Sequence, residues 1–371
     1  MPRYASLDIL RGLAILLMVP VHFSDNLSPR IASTAWLFDA VTYLGSLPAP
    51  LFTFVSGLSF SLWARKLKAE GRTERSITFV ALKRGAFLFA LGIAFNFCIW
   101  LPEETLNWDI LTLLASAYFF LAFARYIPPM ALGLIAGVIP LLAPAFRTVG
   151  DYTEYWDEGV FSYDYNFRDS IFGFISNGYF PLVPWLIFPI VGFIVGEIAF
   201  APRRNPKLLL SLIALGLGSL LLALALMIWG NKLPDTFGDN YGTGFSEFPA
   251  STEFLFIMLG ICFLAFAVLH RIYDLRTPAV APGFIRRIFG RFGEFSLTIY
   301  LIHHAVHLWP LWIYGAAMGQ TDVTHYWQQA LSTPLALLLA GLFLIVCDLG
   351  LRLLQRRKKW SIEWCMRRIC G

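Results

Sequence analysis

The stretch Ser6–Asn26, SLDILRGLAILLMVPVHFSDN, decides how the rest of the chain is read. Its length and apolar content fit one membrane helix, for which a bilayer needs ~20 residues. Yet it carries Asp8, Arg11 and His22. Ionisable groups are costly in hydrocarbon, so those inside a span point to function. Arg11 and His22 are eleven positions apart, about three helical turns, so they differ by only ~20° around the axis and lie roughly 16 Å apart along it. Asp8 and Arg11 are neighbours at i, i+3. A polar stripe on one face, basic at one end and titratable at the other, suits a long anionic molecule lying along the helix. The plainer reading makes Arg11 an interfacial anchor paired with Asp8 and leaves His22 at the helix end.

Working outward, apolar runs recur along all 371 residues: 57% of the chain is hydrophobic and only 14% is charged. Soluble domains carry about 25% charged residues, so the expectation is an all-α polytopic membrane protein. About ten spans can be drawn, each near the ~20 residues required. They form a single integral-membrane domain over 1–371. The net charge of +5 does not signal nucleic acid. The basic residues fall in alternate connections: Arg65 to Arg84, Arg125, then Arg203, Arg204 and Lys207, then Arg271, Arg276, Arg286, Arg287 and Arg291. The tail, 354–371, is basic as well. Glu103, Glu104, Asp109, Asp151, Glu154, Asp157, Glu158, Asp164 and Asp169 gather on the other side. By the Lys/Arg bias, both termini are expected in the cytoplasm of a multi-pass cell-membrane protein. The first helix reads as retained, because Asp8 and Arg11 interrupt the apolar region a cleavable signal would need.

The long outer loop, 148–178, is rich in Tyr, Trp and Asp. Two readings stay open for it: a lid facing substrate, or an interfacial aromatic belt. Gly133-x-x-x-Gly137 and Gly192-x-x-x-Gly196 would let helices approach closely, and a homodimer is compatible with them. The five cysteines stand singly and imply neither a disulfide framework nor a zinc motif. His303 and His307 share a helix face, with His304 pointing elsewhere. A metal would want more ligands, and no HExxH pattern is present, so no metal is expected. Asp348 and Arg352 read as a structural i, i+4 pair.

Several stretches resemble one family in their order along the chain. Leu7-Asp8-Ile9-Leu10-Arg11-Gly12 resembles the opening helix of membrane acyltransferases. It is shared by the acyltransferase-3 and heparan-α-glucosaminide N-acetyltransferase families, and the spacing from Arg11 to His22 resembles the former. Leu51-Phe52-Thr53-Phe54-Val55-Ser56-Gly57, Lys83-Arg84 with Gly92 and Asn96, and Asn107-Trp108-Asp109-Ile110-Leu111 resemble the latter. So does Phe180-Pro181-Leu182-Val183-Pro184-Trp185-Leu186 with Gly192 and Gly196, and the tail stretch Lys359-Trp360-Ser361-Ile362-Glu363-Trp364-Cys365-Met366-Arg367 is similar to the tail motif of related bacterial membrane families. The resemblance implies transfer of an acetyl group from acetyl-CoA to an amino sugar or glycan at the outer face. The eukaryotic enzymes carry asparagine where His22 stands and a histidine in the following loop. That loop, from Ser24 to Leu44, has no histidine here, which leaves His22 to act.

On this expectation Arg11, with Asp8 beside it, and Lys83 and Arg84 bind the CoA phosphates, since arginine gives forked, charge-assisted hydrogen bonds to phosphate. His22 serves as general base with Asp25 orienting it. Trp108, Asp109, Trp185 and His303 line the acceptor site. A competing reading is a small-solute transporter that uses the same stripe as its path.

Overall fold

The structure is a computed structural model that describes residues 4–100, 105–157, 160–164, 166–202, 205–275, 283–320, 327, 330–356 and 360–371. Glu103, Glu104, Glu158, Tyr165, Arg203, Arg204, Arg276 and Lys359 lie outside the described residues. Among the described residues the regular structure is helical apart from one short hairpin and an isolated bridge between Glu247 and Ala250. In order the helices are α1 (Ala5–Leu27), α2 (Ala35–Gly45), α3 (Pro48–Ala69), α4 (Glu74–Ile99), α5 (Ile110–Ala124) and α6 (Pro129–Val149). There follow the hairpin strands β1 (Trp156–Asp157) and β2 (Val160–Phe161), then α7 (Phe167–Phe172), α8 (Leu182–Trp185) and α9 (Ile187–Ala199). The remainder comprises α10 (Leu208–Trp229), α11 (Asp235–Tyr241), α12 (Thr252–Leu269), α13 (Phe284–Glu294), α14 (Ser296–Ala317), α15 (Thr333–Arg356) and α16 (Ile362–Cys370).

Among the described residues, eight helical stretches are long and apolar enough to cross a membrane. Two of the ten expected spans differ from that pattern. One is the shorter α5, of 15 residues. The other is α14, which has 22 residues but is made more polar by three histidines. The lipid-facing character is plain on α10 and α15, where Leu210, Leu221, Ile345 and Val346 are exposed. Exposed apolar surface on that scale needs a partner such as lipid.

Polar side chains close the helix ends. Asp109 caps α5 by accepting from the Leu111 and Thr112 amides at 3.0 and 3.3 Å. Ser251 caps α12 through the Phe254 amide at 3.1 Å. The start of α1 is closed from a distance: the Asp274 carboxylate accepts from the Ala5 and Ser6 amides at 2.9 and 3.3 Å and also from the Ser6 hydroxyl. His270 lies 2.9 Å from the other side of that carboxylate. These contacts satisfy amides that a helix start leaves without intrahelical partners.

Glycines set the closest crossings. A Cβ on Gly12 would overlap the Phe289 carbonyl, and one on Gly293 would overlap the Asp8 carbonyl, so α1 and α13 meet backbone to backbone. Gly57 meets Pro189 and Gly192 meets Phe54 in the same way, joining α3 to α9. The main core gathers around Leu10, Phe54, Phe188, Phe254 and Phe266, all fully buried. A second cluster places Ile15 and Met18 of α1 against Phe292, Phe295 and Ile299.

Candidate active site

Helix α1 lies beside α14, and this pairing creates the site. His22, half-buried, meets His303 and His304 at ring-centroid distances of 5.3 and 4.6 Å. His304 therefore does not point elsewhere: its ring lies 4.1 Å from that of His303 and 5.4 Å from that of His307. Adjacent residues on a helix diverge by ~100° at the backbone, yet the two rings lie together and His22 completes a triangle with them. His303 and His304 are buried, and Phe95 and Trp100 wall His304 at 5.5 and 5.3 Å.

Hydrogen bonds hold two of these rings. His303 Nδ1 lies 3.2 Å from the Ile299 carbonyl, which only an N–H at that nitrogen can satisfy. His303 Nε2 is therefore left as an acceptor, and it is buried without a partner, as is His304 Nδ1. His307 Nδ1 lies 2.5 Å from the His303 carbonyl, and its Nε2 is 2.9 Å from the Asn26 amide nitrogen. Native structures rarely leave buried polar atoms unpaired, and those that are left call for a functional account.

Among the described residues no hydrogen bond joins Asp25 to His22, and Asp25 is exposed. Glu247, in the connection before α12, is the neighbouring acid; burial and the nearby Asp25 carboxylate push it up to about 7.

At the other end of the stripe, Arg11 pairs with Asp8 at 3.6 Å and donates to Ser59. The face between the two ends is not polar: Ile15 and Met18 fill it and are buried in the second cluster. Lys83 and Arg84 have different partners. Arg84 lies over the Trp63 ring at 4.6 Å and donates to the Gly371 carbonyl at 3.2 Å, while Cys370 donates to the Lys83 carbonyl. Helix α4 thus binds α16 at this end.

A basic cavity lies next to Asp8 instead. It holds about 360 Å³ and is walled by Ala5, Asp8, Ile9, Gly290 and Gln355 together with Arg286, Arg287, Arg291 and Glu294. Arg291 also pairs with Asp348 at 2.8 Å, and Arg352 completes that group at 2.7 Å. In sequence these arginines read only as topology signals. Their spacing on α13 and the glycine contact at Gly293 are what bring them to Asp8.

Trp108 and Asp109 support the site from behind. Trp108 adopts φ +57, a left-handed conformation uncommon for a bulky residue. Its indole is buried against Phe174, with ring centroids 4.9 Å apart, and there is no room for a Cβ on Gly173 beside it. Asp109 accepts from the Tyr300 hydroxyl at 2.8 Å. Trp185 is buried among Phe180, Phe188 and Phe254. The loop over this end is ordered by its own contacts. Trp156 stacks on Tyr152 and Phe248, and Asp169 accepts from Tyr155, pushing that phenol up to about 12.

Residues 3–228 match the family described as heparan-alpha-glucosaminide N-acetyltransferase, catalytic. The chain belongs to this family. The match contains His22, Arg11 and Asp109, and the α14 histidines lie beyond it. No curated protein matches the chain. The family carries a membrane acetyltransferase function, and the multi-pass helical fold agrees with it.

Proposed function

We propose that the chain moves an acetyl group from acetyl-CoA to the amino or hydroxyl group of an amino sugar or glycan. His22 is the general base. The observation that carries this reading is the position of His22: a half-buried imidazole within the family-matched first helix, closing a cluster of otherwise buried histidines. His22 takes the proton of the acceptor as its nitrogen or oxygen bonds to the acetyl carbon. The carbon–sulfur bond breaks, and the CoA sulfur leaves as thiolate to be reprotonated. Proton transfer by a positioned histidine contributes typically about 10²–10⁴-fold to rate.

The donor's phosphates are assigned to the cavity beside Asp8, where Arg286, Arg287 and Arg291 converge, with Arg11 paired to Asp8 on its wall. That end faces the cytoplasm of a cell membrane, and the acceptor arrives from the end carrying the 148–178 loop. The ~16 Å between Arg11 and His22 along the helix suits an extended pantetheine arm. Ile15 and Met18 must yield for the arm to pass.

The test is turnover by purified protein in lipid, with labelled acetyl-CoA and a panel of amino sugars, beside His22→Ala. Label should reach a sugar with the wild type alone, while CoA binding survives in the variant. Undiminished turnover in His22→Ala would remove His22 from the mechanism.

A further inference from the structure

The mechanism above uses one imidazole, yet three converge. One nitrogen each from His22, His303 and His304 lies within 4.8 Å of the others. We propose that these residues form a binding site for a divalent transition metal of the zinc class, and that its occupation silences the transferase.

Three observations carry the site. First, the donor set is all imidazole, which suits zinc, copper and nickel and disfavours magnesium and calcium, which want oxygen ligands. Second, two of these rings each keep a nitrogen open to a ligand. His303 Nε2 and His304 Nδ1 are buried nitrogens without a protein partner, on residues 0% and 2% exposed. Third, the outer hydrogen bonds are those of a ligating histidine. His303 spends its Nδ1 proton on the Ile299 carbonyl, which fixes the tautomer that leaves the lone pair on Nε2. Metal-bound histidines almost always donate their second N–H to a carbonyl or carboxylate in this way. His307, held by Asn26 and by the His303 carbonyl, braces the turn that presents His303.

Three nitrogens bound at 2.0–2.1 Å in a tetrahedral site stand about 3.3 Å apart. The cluster, within 4.8 Å at present, therefore has to close by up to about 1.5 Å. His22 is the least buried member of the three. Three protein ligands leave the fourth position to water. Binding takes the lone pair that His22 needs as a base, so metal and transfer compete. That competition rests on the acetyltransfer reading; the metal site itself does not.

The experiment uses full-length protein in lipid nanodiscs, without a polyhistidine tag, stripped with a chelator and then equilibrated with Zn²⁺ or Co²⁺. Bound metal is measured by mass spectrometry, the Co²⁺ absorption spectrum is recorded, and transfer is assayed with and without Zn²⁺. The expected result is about one equivalent per chain, as for a three-histidine site with an open position. The cobalt spectrum should show nitrogen ligation without thiolate charge transfer. At least tenfold weaker retention is expected in His303→Ala and in His304→Ala, with none in Ca²⁺ or Mg²⁺. Metal retained equally by both variants, or no metal on the wild type, would overturn the site. Thermal unfolding checks the variants. If they fail to fold, the wild-type cobalt spectrum decides alone, and a thiolate or all-oxygen signature refutes the assignment. Transfer that continues at full rate with metal bound would overturn the competition and leave the site intact. Absence of transfer in metal-free protein with every acceptor would count against the enzymatic reading only.

Discussion

Tyr300 of α14 donates a 2.8 Å hydrogen bond to Asp109, the residue that caps α5. This one carboxylate satisfies the start of one helix and fixes another, and the second carries the histidine cluster one turn further on. Trp108, strained immediately before it, is pinned by Phe174 and the glycines of the covering loop. The loop therefore reaches the histidines through Trp108, Asp109 and Tyr300.

Tyr300→Phe removes one partner and leaves a buried carboxylate oxygen unsatisfied. Leaving a buried group unpaired costs about 1–3 kcal/mol. Asp109→Ala removes the cap as well, worth about another 1 kcal/mol. The double variant should be less destabilised than the sum of the two singles, with a coupling of about 0.5–3 kcal/mol. Thermal or denaturant unfolding in detergent measures all three. Strict additivity would mean that the bond contributes nothing.

The paired glycines separate two cases that look alike as a sequence. Gly192 and Gly196 pack against Phe54, Leu58 and Ser61, whereas Gly133 and Gly137 have nothing within 4 Å of an added Cβ. Gly192→Ala should force α3 and α9 apart and destabilise by about 1–3 kcal/mol, as overpacking does. Gly133→Ala should be neutral or stabilise by up to about 1 kcal/mol, because alanine is the better helix former. Unfolding midpoints of the two variants check the contrast, and equal losses would contradict the crossing described.

These glycines show what a sequence can carry. The Asp8–Arg11 pair and the placing of His22 on the same face follow from helical spacing, which is a local property. The apolar plug of Ile15 and Met18 was equally local: both residues lie on the Arg11–His22 face, and their burial could have been expected from their chemistry. What helix α1 meets is not local. That His303 and His304 both turn toward His22, and that the α13 arginines stand beside Asp8 in place of Lys83 and Arg84, depends on crossings made at Gly12 and Gly293. Those glycines carry no sequence pattern that names their partner. The conformation of Trp108 is likewise set by the loop packed over it.

If the cavity beside Asp8 takes the donor's phosphates, Arg286→Ala with Arg287→Ala should weaken CoA binding. A hydrogen bond to a charged group is worth about 1.5–3 kcal/mol, so a ten- to hundredfold rise in Kd is expected. The loss should shrink when dephospho-CoA replaces CoA and when ionic strength is raised. Lys83→Ala, whose neighbourhood is the tail helix, should leave affinity within about twofold. Equal effects from Lys83→Ala and the arginine pair would place the phosphates elsewhere. Calorimetry in nanodiscs distinguishes the two outcomes.

Glu247 gives a pH dependence with a definite sign. Its carboxyl is pushed up to about 7, first by burial and then by the Asp25 carboxylate, against a hydrogen bond from Ser46 that favours the ionised form. In the unfolded chain a glutamate ionises near 4.3. The folded protein thus binds a proton that the unfolded chain has already released. Stability contributed by the neutral form is fully present below about 4.3 and is withdrawn as pH rises through about 7, with no further loss above. Glu247→Gln keeps the neutral shape at every pH. Its unfolding midpoint should match the wild type near pH 4.5 and exceed it by pH 8. Asp25→Asn should narrow the window from above by lowering the Glu247 carboxyl toward its ordinary range. Parallel midpoint curves for wild type and Glu247→Gln across that interval would show that Glu247 ionises as freely in the fold as in the open chain.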